Sequence, residues 1–196
     1  MTESEWLDEN DPVPLFQQIN GAGTERQLRL FSTAALASDG YRSPQADFRL
    51  NLVEQFADGL VTLRQIRDAW PPLSPDAPTT APELAFDWAE TIVMARARRY
   101  YGGGFPILSE PLVSVLFRDV FGARFRPVAF NQSWRTEAVV ALARGMYESR
   151  DFGLMPVLAD ALDDAGCGDA DVLAHCRGTG PHVRGCWVVD LVLGKS

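Results

Sequence analysis

Residues 155–176 read MPVLADALDDAGCGDADVLAHC, and this stretch decides the fold class of the chain. Its first half repeats apolar residues at positions i, i+1, i+4, i+5 and i+8, the stripe of a helix that packs one face against a core. The stripe consists of Val157, Leu158, Ala161, Leu162 and Ala165. In the second half, Asp169 is a good N-cap for a short helix over ADVLAHC. The stretch therefore predicts two consecutive helices.

Helical signals continue toward the N-terminus. Capping boxes begin at Thr2 and Thr24, each followed three residues later by Glu or Gln. Pro44 suits the first turn of another helix, whose predicted apolar face carries Phe48, Leu52 and Phe56. The sequence has no alternating strand pattern and no repeat of fixed period. We predict an all-α fold, an irregular multi-helix bundle of short helices.

A proline-rich stretch, PPLSPDAPTTAP at residues 71–82, interrupts the helical pattern. Prolines lack an amide donor and restrict the residue before them, so no regular element is expected to run through it. The sequence predicts a single helical domain over residues 1–196. Within it, N-terminal helices (1–70) and C-terminal helices (83–196) are joined by this linker.

Charge and cysteine content limit the function classes. The chain has 26 acidic and 18 basic residues, a formal net charge of −8, which disfavours binding to nucleic acid or to anionic lipid. No apolar run is long enough to cross a bilayer, and the first residues resemble no secretory signal. The three cysteines follow no disulfide framework, which favours a reducing compartment. We predict a soluble cytoplasmic protein without a membrane partner.

Every cysteine and histidine of the chain falls within residues 167–186. Pro181 is predicted to begin the last helix, PHVRGCWVVDLVLG, after the glycine-rich turn RGTG. One interpretation of the cluster is structural. Cys176 and Cys186 would then lie on apolar helix faces, where free cysteine is commonly buried, and the two histidines would cap helices or face solvent.

A second interpretation is anion binding by the glycine-rich turn. Gly178 and Gly180 leave backbone amides unobstructed, and the N-terminus of the predicted last helix would add partial positive charge. Arg177, His182 and Arg184 flank the turn and would supply charge-assisted hydrogen bonds. This pattern predicts binding of an acidic or phosphorylated group.

A third interpretation is a zinc site. His182 and Cys186 are four residues apart, so one turn of the predicted helix would place both on one face, and Cys167 or His175 would complete the ligand set. The Cys-x-x-Cys knuckle of many zinc sites is missing. Adjacent residues on a helix also point about 100° apart, so His175 and Cys176 are not expected to serve one ion.

No nucleophile elbow, HExxH sequence or other catalytic signature appears, and the sequence does not support an enzyme. We expect a non-enzymatic interaction module, without a cofactor, that binds an acidic or phosphorylated protein partner through the turn at residues 177–184. The alternative is a zinc-binding domain that uses the C-terminal Cys/His cluster and is hydrolytic if one ligand position stays open.

Three segments carry a resemblance: MTESEWLDENDP with ERQLRLFSTAALA, LFRDVFGARFRPV, and LADALDDAGCGDADVLAHCRGTGPHVRGCWVVDLVLGK. They resemble a paralogous family of planctomycete-type bacterial proteins over nearly the whole chain, most specifically in the last segment. The family carries paired cysteines in its first cysteine-bearing helix, where this chain has STAALAS. The resemblance implies one helical unit, and it implies no activity, ligand or catalytic residue.

Overall fold

A computed structural model describes residues 2–19, 23–38, 44–69, 110–122 and 128–195. Within these ranges the secondary structure is helical and contains no strand, which confirms the all-α prediction. The chain divides into two compact units, Met1–Arg118 and Asp119–Ser196. The predicted linker lies outside the described ranges, and the single-domain organisation stays a prediction. None of the described helices has the length and apolar character needed to cross a bilayer.

The described residues of the first unit form five short helices and most of a sixth. They are α1 (Glu3–Asp8), α2 (Pro12–Ile19), α3 (Glu25–Ser38), α4 (Pro44–Ala57), α5 (Leu63–Ala69) and α6 (Glu110–Phe121), with the unit boundary after Arg118. Both predicted capping boxes are confirmed. The Thr2 and Thr24 hydroxyls accept the amides three residues on, and the Glu5 and Gln27 side chains accept the N–H of the threonines.

The core of the first unit forms around aromatic rings. Phe31 and Phe117 stack with ring centroids 4.2 Å apart, and Phe16 meets Phe117 edge-on. α3 packs on α4, and α4 packs on α5. α4 forms as predicted, but Phe48, at the start of its predicted apolar face, is 58% exposed.

Beyond the end of α6, the described residues of the second unit form a 3-10 turn (Gln132–Trp134) and four helices: α7 (Glu137–Ser149), α8 (Met155–Asp164), α9 (Ala170–Arg177) and α10 (Trp187–Leu193). α8 packs on α7 and α9, and α10 packs on the same two helices. Asp169 caps α9 as predicted, because its carboxylate accepts the N–H groups of Asp171 and Val172. The core shared by these helices includes Val139, Met146, Leu158, Leu162, Val172, Val188 and Val189.

The prediction that the last helix begins at Pro181 is wrong, since α10 begins at Trp187. Residues 183–186 form a tight turn instead, in which the Cys186 N–H donates to the Val183 carbonyl at 2.9 Å. Gly185 is the third residue of this turn and has φ +96°, the conformation that a type II turn requires there. Residues 178–186 therefore form a non-helical segment between α9 and α10.

Candidate metal centre

The Asp119 carboxylate lies where both the helix dipole and burial disfavour a negative charge. It lies in the last turn of α6, at the negative end of the helix dipole, and its side chain is only 2% exposed. Its Oδ2 accepts the Val183 N–H at 2.9 Å. Its Oδ1 lies 2.7 Å from Nδ1 of His182 and 3.1 Å from Nε2 of His175. A buried carboxylate needs donors or cationic partners, and two imidazoles meet that need here.

His175 reaches Asp119 from the last turn of α9. Its neighbour Cys176 is fully buried in the helical core. Because successive helical side chains point about 100° apart, the packing of Cys176 turns His175 toward a different side of α9. There Nε2 of His175 lies 3.2 Å from Sγ of Cys186.

The turn before α10 brings His182 and Cys186 together without a helix. Nδ1 of His182 and Sγ of Cys186 are 3.9 Å apart across the turn closed at Gly185. Cys186 is fully buried at the N-cap of α10, and the His182 side chain is 8% exposed. The predicted pairing of these two residues is thus present, although the predicted helix that was to create it is not.

Four donor atoms converge on one point. The ligand atoms of Asp119, His175, His182 and Cys186 all lie within 4.8 Å of one another, and four of the separations are 2.7, 3.1, 3.2 and 3.9 Å. A tetrahedral zinc ion with usual bond lengths would hold nitrogen, oxygen and sulfur donors about 3.3–3.6 Å apart. The contacts of 3.1, 3.2 and 3.9 Å differ from these values by about 0.2–0.4 Å, whereas Asp119 and His182, at 2.7 Å, would have to move apart by about 0.6 Å to accommodate the ion.

The geometry argues against a cysteine nucleophile. In a Cys–His–Asp arrangement, the cysteine and the carboxylate contact opposite nitrogens of the imidazole. Here Asp119 and Cys186 face the same nitrogen, Nε2 of His175. Burial, followed by the nearby Asp119 charge, raises the pKa of the Cys186 thiol well above its ordinary value. A protonated, enclosed thiol is a poor nucleophile, so the group does not resemble a catalytic triad.

Opposing effects act on the pKa of Asp119. Burial alone raises it, but the hydrogen bonds to His175 and His182 and the charges of the two rings lower it more, so the pKa lies below its ordinary value. The carboxylate is therefore ionised at neutral pH. An ionised carboxylate that faces two imidazoles and a thiol is a ready ligand for a divalent transition metal.

The predicted zinc ligands have different positions in the structure. His175, His182 and Cys186 belong to the converging group, whereas Cys167 does not, and Asp119 is the fourth member. Cys167 lies in the core of the second unit, where burial raises the pKa of its thiol. It has the character of a packed apolar residue.

Sequence reasoning missed Asp119 because it precedes the nearest other member of the converging group, His175, by more than fifty positions. One local signal was present. Asp119 follows Leu116 by three residues on α6, so it shares the face that Leu116 buries completely. An acidic residue at such a position indicates a buried charge that needs partners.

The predicted anion-binding turn is held by contacts within the chain. Arg177 lies 3.2 Å from Asp160 and 3.3 Å from Asp163, and Nε of Arg184 donates to the Tyr147 carbonyl at 2.8 Å. Gly178 and Gly180 are exposed, and the Gly178 N–H donates to the carbonyl of His175 at the end of α9. His182 faces Asp119.

No protein-family model, curated protein or solved structure matches this chain. The resemblance to the planctomycete-type family therefore stays a prediction. The described residues therefore form a helical protein whose second unit brings together four side chains of the types that hold metal ions.

Proposed function

We propose that the second unit binds a zinc ion through Asp119, His175, His182 and Cys186, and that the ion has a structural role. The observation that carries the proposal is the convergence of four donor atoms from three separate parts of the chain, with one donor atom contributed by each residue. Two imidazoles, one carboxylate and one thiolate form a ligand set that suits zinc better than magnesium or calcium, which prefer oxygen ligands.

Charge balance supports the same ion. An ionised Asp119 and a Cys186 thiolate carry two negative charges, and neutral His175 and His182 add none. A Zn²⁺ ion would bring the total to zero. Since the side chains of Asp119 and Cys186 are almost entirely enclosed, a neutral centre avoids the large cost of burying net charge.

Four protein ligands leave no coordination position for water, so we propose a structural rather than a hydrolytic site. The ion would join the end of α6, the end of α9 and the segment that leads into α10. That segment has no helix of its own, and a metal bond at each of His182 and Cys186 would fix it in place.

Metal analysis of the purified protein tests the proposal. We expect about one equivalent of zinc per chain, retained through gel filtration, as for a closed structural site. His182→Ala is expected to lose the zinc. Cys167→Ala, which removes a thiol outside the converging group, is expected to keep it. Zinc-free protein that also takes up no added zinc would contradict the proposal, as would a His182→Ala variant that retains the ion.

Binding of a protein partner by the turn at residues 177–184 is the alternative function. It requires Arg177 and Arg184 to give up the contacts they already make with Asp160, Asp163 and Tyr147. The start of α10 at Trp187 also removes the helix N-terminus that was expected beside Gly180. We therefore favour zinc binding over capture of an acidic or phosphorylated protein partner.

A further inference from the structure

Trp187 links two parts of the proposed metal centre. It directly follows the ligand Cys186, and its ring centroid lies 5.0 Å from that of His175. His175 also meets His182 edge-on, with centroids 4.8 Å apart. The His175 ring therefore packs against Trp187 on one side and against His182, another proposed ligand, on a second side.

Gly122 gives Trp187 the space it occupies. A Cβ atom on Gly122 would lie 2.7 Å from Nε1 and 2.8 Å from Cδ1 of Trp187, closer than real Cβ contacts allow. Gly122 follows the ligand Asp119 by three residues, at the end of α6. The indole consequently packs directly on the backbone of the element that carries the carboxylate.

We propose that Gly122 and Trp187 are positioning residues of the metal centre: the indole, seated on Gly122, sets the orientation of the His175 ring. This inference rests on the proposed zinc function. Outer-shell residues that hydrogen-bond to a histidine ligand without touching the ion commonly change metal affinity by about 10–100-fold when replaced. Here the orienting contact is an aromatic ring that packs tightly against a residue without a side chain.

Gly122→Ala and Trp187→Phe test the contact as a pair. Alanine at Gly122 must displace the indole, so we expect zinc affinity to fall about ten-fold or more, with an altered ligand-field spectrum of the Co²⁺-substituted protein. Phenylalanine at Trp187 keeps an aromatic ring but vacates space over Gly122. The double variant is therefore expected to bind zinc within a few-fold of Trp187→Phe alone and to give the same Co²⁺ spectrum as that single variant.

Gly145→Ala is the matched control, because a Cβ on Gly145 would meet nothing within 4 Å. It is expected to leave zinc affinity and the Co²⁺ spectrum unchanged. A Gly122→Ala variant that binds like the control would overturn the inference. If Gly122→Ala alone does not fold, the double variant decides, and binding at least ten-fold weaker than that of Trp187→Phe would overturn it.

The two proposals fail in different ways. If the wild-type protein binds neither Zn²⁺ nor Co²⁺, the zinc function itself is wrong. If the wild-type protein binds both ions and the Gly122 and Trp187 variants bind them equally well with the same spectrum, the zinc function stands and only the positioning role is wrong.

Discussion

Nδ1 of His182 lies 2.7 Å from Oδ1 of Asp119, and this contact joins residues that are 63 positions apart in the chain. Both side chains are almost completely enclosed. Asp119→Asn keeps the shape of the side chain but removes its charge, so a zinc centre would carry a net positive charge in a buried place. We expect zinc affinity to fall by more than about 100-fold, beyond the range for residues outside the ligand set. Titration calorimetry measures the change.

Asp190→Asn is the matched control for this prediction. Asp190 is also a buried acid, 6% exposed, and it lies in α10 outside the converging group. We expect the control to bind zinc with nearly wild-type affinity, whatever its effect on stability. Equal losses in the two variants would indicate a general effect of removing buried charge and would count against Asp119 as a ligand.

Cys186 and Cys176 offer a second matched pair. Both thiols are fully buried, and burial raises the pKa of Cys176 to about 12, but only Cys186 faces the two imidazoles. Co²⁺ bound by a thiolate gives a charge-transfer band in the near ultraviolet. We expect the band in wild type and in Cys176→Ala and its loss in Cys186→Ala. A band that persists in Cys186→Ala would assign the thiolate ligand to a different cysteine.

Zinc binding is expected to release protons. In the metal-free protein the pKa of Cys186 lies well above its ordinary value, mainly because of burial, so its thiol is protonated at pH 7. Asp119 has a lowered pKa and is already ionised. Because the proposed zinc ligand is the thiolate, at least about one proton is expected to leave Cys186, and zinc affinity is expected to rise with pH throughout the range below the thiol pKa. Calorimetry in buffers of different ionisation enthalpy measures the release. Binding without proton release would exclude the thiolate.

The helices were predictable from the sequence because their signals are local. Thr2 and Thr24 begin helices through contacts three residues away, and Asp169 caps α9 through the amides of Asp171 and Val172, two and three residues on. The burial of particular faces was less predictable. Phe48 follows a helical apolar pattern and is nevertheless exposed, since periodicity identifies a face without showing what covers it.

The candidate site was only partly predictable because its two halves have different origins. His182 and Cys186 are close in sequence, so almost any compact backbone between them brings the two together. The actual turn depends on Gly185 at a positive φ, which a helical interpretation of the segment overlooks. Asp119 enters through tertiary packing, which a single sequence does not reveal.

Removal of the metal is expected to expose the segment before α10. Residues 178–186 lie outside the helices, and trypsin sites at Arg177 and Arg184 fall at its start and within its turn. With zinc bound at His182 and Cys186, opening of the segment requires release of the ion, so the ion stabilises the closed form by about 4 kcal/mol at a thousand-fold excess over Kd. We expect a strong chelator to accelerate cleavage at both sites. Cleavage after Arg150, at the end of α7, serves as the internal reference. Equal acceleration there would indicate global unfolding instead.

Arg184→Ala and Arg177→Ala are expected to change the free energy of unfolding by different amounts. This comparison distinguishes a structural role of the turn from a partner-binding role. The Arg184 guanidinium donates to the Tyr147 carbonyl and lies 4.4 Å from the centre of the Tyr147 ring. Arg184→Ala should therefore lower the free energy of unfolding by about 1–2 kcal/mol, through loss of a charged hydrogen bond and a cation–π contact. Arg177→Ala removes only exposed ion pairs with Asp160 and Asp163, so we expect little change in denaturant unfolding.

If Arg184→Ala leaves stability unaltered and the double variant loses capture of a phosphorylated or acidic protein, the turn is a binding surface, and the partner-binding function must be preferred for this segment.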